Sequence, residues 1–177
     1  MTALSRAFFL LCFLFVIAVS GREASAQSRE ETQAFITEKG KNLVYDSYYN
    51  GKHFARTETS LIFAKDGTLV RTEKITDMEG GRYVETYTDE IVLKTLNPKR
   101  VTGEKTKAFM VYMYTTGDKE MIKRTITSNN PKNEPTRNVT VERSHISTND
   151  ERVGNQLVKA IRHLIELEGG KPELFEE

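Results

Sequence analysis

The chain reads as an α+β domain, an antiparallel β roll or barrel of about seven strands with a short N-terminal helix and a C-terminal capping helix. Three observations predict this. Val153, Leu157, Ala160, Ile161, Leu164 and Leu167 recur at steps of three and four, which draws one apolar stripe along a helix. Asn50-Gly51, Asp66-Gly67 and Thr116-Gly117-Asp118 punctuate the middle of the chain as turns. The segments between them are short and rich in β-branched and aromatic residues, the usual material of strands.

The first 26 residues stand apart. Arg6 precedes Phe8 to Val19, an apolar run of twelve residues, and Ala24-Ser25-Ala26 offers the small residues a signal peptidase reads. Cleavage between Ala26 and Gln27 is expected, so the chain divides into a signal peptide (1–26) and one domain (27–177). The apolar run is far short of the ~20 residues a spanning helix needs, which argues against a transmembrane segment. A lipoprotein signal is rejected because bulky Leu11 precedes Cys12 and the run continues past it.

Cleavage removes Arg6 and Arg22 from 26 basic residues and Glu23 from 25 acidic ones, leaving 24 of each. This balance argues against nucleic acid as a partner, which calls for a basic excess. Cys12 is the one cysteine, so the exported part forms no disulfide. That favours a bacterial periplasmic or secreted protein.

The mature part opens with Ser28-Arg29-Glu30-Glu31, a capping box that predicts a helix from about Arg29 to Lys39. Leu43–Tyr49 and Lys52–Ala64 form a hairpin around Asn50-Gly51. In the second strand Ala55, Thr57, Thr59, Leu61 and Phe63 share one face. Strands are expected over Thr68–Thr76 and Arg82–Leu96, separated by the turn Met78-Glu79-Gly80-Gly81. A break falls at Asn97-Pro98-Lys99, and Arg100–Thr102 is a short strand. Ala108–Thr115 is apolar on both faces and belongs centrally. Lys119–Ser128 comes next, and Thr136–Ile146 is a single last strand. Thr148 and Glu151 form a second capping box, Gly169-Gly170 ends the closing helix, and Pro172 prevents its resumption.

From Asp89 to Glu168 the order is strand, Asn97-Pro98-Lys99 link, hairpin at Gly117-Asp118, last strand and closing helix. This order resembles the second half of a pleckstrin-homology-like (PH-like) domain. The lipid-head-group site of that family is not carried over, because Lys65, Arg71 and Lys74 are interspersed with Asp66 and Glu73. The Glu30-Glu31-Thr32 helix and the run Leu157-Val158-Lys159-Ala160, His163-Leu164-Ile165 and Gly169-Gly170-Lys171 are similar to small exported bacterial proteins of unassigned activity. Both resemblances imply a fold more than an activity.

No catalytic, cofactor-binding or metal-binding set is expected. His163 and Glu166 lie three apart on one helix, but a zinc site wants three or four ligands. Ser144-His145 is an adjacency without an orienting carboxylate in sequence. His53 comes just after a turn and is expected to be exposed, and Asp89-Glu90 is expected on a solvated edge. Tyrosine pairs an apolar ring with a polar tip, so Tyr83, Tyr87, Tyr112 and Tyr114 are the candidate ligand-lining residues. The expected function is an exported, non-catalytic binding or interaction module for a protein or small molecule. A lipocalin-like carrier and an enzyme acting without metal are the alternatives.

Overall fold

A computed structural model of the chain describes residues 27–77 and 83–171. The expected signal peptide and cleavage site, the Met78–Gly81 turn and the Pro172 helix stop lie outside the described residues.

Helix α1 spans Arg29–Lys39 and starts on the expected capping box. Ser28 Oγ accepts from the Glu31 N–H at 3.1 Å, and the Glu31 carboxylate accepts from the Ser28 N–H at 2.9 Å. Two donors that a helix start would leave open are thereby satisfied.

Strands β1 (Leu43–Tyr49), β2 (Lys52–Phe63), β3 (Leu69–Asp77) and β4 (Val84–Ile91) form an antiparallel meander. Its first turn, Asn50-Gly51, has φ of +48° and +77°, as a hairpin of this type demands. Two 3-10 turns, Leu93–Thr95 and Pro98–Arg100, occupy the place of the expected strand end and break. Then come β5 (Thr102–Lys105), β6 (Phe109–Tyr114), β7 (Ile122–Ser128), β8 (Thr136–Val141), β9 (Arg143–Thr148) and helix α2 (Glu151–Leu167).

The class is α+β with antiparallel sheets, but the closed barrel of about seven strands is not formed. The described residues make nine strands in two open sheets, one ordered β1-β2-β3-β4-β7-β8 and the other β5-β6-β9. The difference turns on Glu142. The single strand expected over Thr136–Ile146 breaks there: β8 pairs with β7, and β9 crosses over to pair with β6. At the break the Glu142 carbonyl accepts from the Thr115 N–H at 2.9 Å, so that carbonyl is not orphaned where the chain changes sheets. Past the crossover, the Asn149 N–H reaches the Val44 carbonyl of β1 at 3.3 Å.

Helix α2 begins later than the Thr148–Glu151 capping box predicts. Asp150 is the cap, with Oδ1 accepting from the Val153 N–H at 3.0 Å, while Thr148 Oγ accepts from the Asp150 N–H at 3.1 Å. The helix ends as expected near Gly169, at φ +80°.

The stripe of α2 is buried at Leu157, Ala160, Ile161 and Leu164, whereas Leu167 is exposed. It packs with Val111 and Met113 of β6, Ile146 of β9 and Ile36 of α1. Leu61, Leu69, Ile91 and Ile122 complete this core from the large sheet. Helix and small sheet approach closely at Gly154, where an added Cβ would sit 2.1 Å from the Phe109 ring. Only glycine permits that approach.

Candidate functional site

On the inner face of the large sheet, the strand register sets a charged row beside an apolar one. Leu69 lies opposite Ile91. Two residues further on, Arg71 lies opposite Leu61 on one side and Asp89 on the other, and Asp89 lies opposite Arg124. Another step on, Glu73 lies opposite Tyr87. Residues two apart share a face, so the apolar row gives way directly to the charged one.

Arg71 and Asp89 have no exposed surface, and Glu73 is 3 % exposed. Arg71 donates from Nη1 to Asp89 Oδ2 at 2.8 Å and from Nη2 to Glu73 Oε2 at 2.5 Å. Arg124 makes a two-bond fork to Asp89, Nε to Oδ1 at 2.6 Å and Nη2 to Oδ2 at 2.8 Å. From β9, the Ser144 hydroxyl donates to Asp89 Oδ2 at 2.5 Å. Burial alone pushes the Asp89 carboxyl up. The Arg124 bonds, the Arg71 charge and the Ser144 hydroxyl outweigh it and hold the group below its ordinary value. The same bond to Asp89 raises Arg124.

The next residue of β9, His145, faces the other end of this network. Its Nε2 lies 3.6 Å from Glu73 Oε1, and its ring is half-buried. Burial lowers the imidazole pKa. Arg71 and Arg124 lower it further, while Glu73 and Asp89 pull it up, and the net shift is downward. Tyr112 lies beside His145, with ring centroids 6.4 Å apart. Tyr87 flanks Glu73 from β4 and donates its hydroxyl to Glu85 at 2.7 Å. Burial and then that bond raise the Tyr87 phenol. Among the described residues, Glu73 Oε1 and Arg71 Nε are buried without a hydrogen-bond partner.

Of the four candidate tyrosines, Tyr87 and Tyr112 flank this network. Tyr114 lies 6.4 Å from Tyr112 and is covered by the Arg100 guanidinium at 4.6 Å. Tyr83 stands half-buried just before β4. Asp89 is not on a solvated edge, since the charges of Arg71 and Arg124 hold it inside. Nor is His53 simply exposed: it is half-buried, 3.0 Å from Asp46 Oδ1 and stacked on Tyr48 at 5.1 Å. His163 contacts the Gln27 carbonyl at 3.0 Å. Among the described residues, no three His, Cys, Asp or Glu side chains converge as metal ligands. A separate open groove of about 750 Å³ runs past Glu90, Lys123, Thr125 and Thr140, and touches the network only at Arg124.

The charged network escaped the sequence reading because its members come from β3, β4, β7 and β9. One signal was present. On β3, Arg71 and Glu73 fall in phase with Leu69 and Ile75, so charges occupy core-facing positions and break the strand's apolar alternation.

Fold and site together describe a two-sheet α+β domain with a buried ionic network at the junction of its sheets. Compared with protein-family models, with curated proteins and with solved structures, the chain matches none. Among the described residues no helix is long and apolar enough to cross a membrane.

Proposed function

We propose that the chain is an exported, non-catalytic binding module whose ligand meets the Glu73–His145 end of the charged network, between Tyr87 and Tyr112. One observation carries the reading. Glu73 Oε1 belongs to a nearly fully buried carboxylate, has no hydrogen-bond partner among the described residues, and stands beside a half-buried imidazole. An open buried acceptor costs about 1–3 kcal/mol, and more when charged. A donor supplied by a ligand recovers that cost.

The neighbouring groups support binding over catalysis. Ser144, the one hydroxyl beside His145 in sequence, donates to Asp89, and both Asp89 oxygens are held by arginines. A lipocalin-like carrier holds its ligand inside a barrel. Here Leu69, Ile91, Met113, Leu157 and Ile161 fill the interior, which favours a ligand at the rim. Export rests on the apolar run and on Ala24-Ser25-Ala26. The PH-like order remains a proposal about the C-terminal half and assigns no ligand residue.

Native mass spectrometry of the chain, expressed with its own leader and purified after export, tests this reading. The expected result is a polypeptide beginning at Gln27 with a retained small molecule. That molecule should be lost on denaturation and in Glu73→Gln. Bare polypeptide mass, with His145 ring signals unmoved by a small-molecule extract of the host, would overturn it.

A further inference from the structure

Resting on that binding reading, we infer that the ligand is neutral and hydroxyl-rich, of the saccharide or polyol class. The charges of the network balance. Arg71 and Arg124 are matched by Glu73 and Asp89 within one bonded network. An ammonium or a phosphate entering beside it would lose its hydration and find no net countercharge to offset that loss. A neutral group escapes that cost.

The two unpartnered atoms ask for opposite partners. Glu73 Oε1 needs a donor and Arg71 Nε needs an acceptor, and both belong to the same ion pair. An ammonium only donates and a carboxylate only accepts. A hydroxyl does both. His145 Nε2, 3.6 Å from Glu73 Oε1, adds a further polar atom at the same place.

Aromatic rings flank these atoms. Tyr87, opposite Glu73, and Tyr112, beside His145, are both half-buried aromatic rings on different sheets. Binding sites pair apolar and aromatic walls with a few placed polar groups. A sugar ring presents C–H faces to such walls and hydroxyls at its edge.

The test follows His145 and Tyr112 signals by NMR in the mature chain, 27–177, during titration with three probes. These are methyl glucoside, ethanolammonium and inorganic phosphate. The glucoside should give a saturable shift, weakened roughly tenfold or more in Glu73→Gln, since a hydrogen bond to a charged group is worth about 1.5–3 kcal/mol. Tyr112→Phe, which keeps the ring, should bind far better than Tyr112→Ala. Tighter binding of ethanolammonium or phosphate would overturn the ligand class while leaving a binding site in place. Glucoside binding that ignores Glu73→Gln would place it elsewhere and overturn the inference. Silence with all three probes would overturn the ligand class, and together with a bare native mass it would overturn the site as well.

Discussion

On β3, Leu69 and Arg71 stand two residues apart, face the same way and have equally little exposed surface. The row through Leu69, Ile91 and Ile122 gains free energy by leaving water, about 25 cal/mol per Å² of apolar surface. The row through Arg71, Asp89 and Arg124 loses hydration on burial and recovers it only through its mutual bonds. The apolar row can therefore be trimmed by degrees. The charged row fails as a unit, because removing one member strands the others.

The largest expected effect is at the centre of the charged row. Asp89→Ala leaves Arg71 and Arg124 facing each other without their shared carboxylate, and should cost about 3–5 kcal/mol in urea unfolding. A loss below about 1 kcal/mol would mean that the row behaves like exposed pairs. Folding also depresses the Asp89 pKa, so its contribution is present above the ordinary carboxylate value of 3.8. It is lost as pH falls through the lower folded value, and the variant should lack that acid-side decline.

A comparable or smaller effect is expected on the apolar side. Ile161→Ala truncates the middle of the α2 stripe and should cost about 2–5 kcal/mol. A change within about 0.5 kcal/mol of zero would show that α2 is not docked on the sheets.

These two rows also differ in how far the sequence discloses them. The stripe of α2 is readable because its members lie three and four residues apart on one segment, and a helix gathers them without help from elsewhere. Helix α1 is readable for the same local reason, through Ser28 and Glu31. The charged row is not readable, because Arg71, Asp89 and Arg124 come together only through the pairing of β3, β4 and β7, and Ser144 joins them only once β9 has crossed to the other sheet. That crossover at Glu142 is itself hidden, since Thr136–Val141 and Arg143–Thr148 both favour extended backbone and no glycine or proline divides them. Tyr87 and Tyr112 stand out in the sequence for their chemistry alone; their place beside Glu73 and His145 comes from register.

At Glu73 and His145 the large and small sheets meet, and the His145 ring reports on that contact directly. Its folded pKa is lowered, so its contribution to stability is complete above the ordinary value of 6.5 and falls as pH drops toward the lower folded value. NMR titration of the His145 ring is the measurement to make, in the wild-type chain and in Glu73→Gln. The expected midpoint lies below the ordinary imidazole value and moves further downward when the Glu73 charge is removed, because that charge is the first force opposing burial. A midpoint at or above the ordinary value, or one that Glu73→Gln leaves unmoved, would contradict a coupled Glu73–His145 junction.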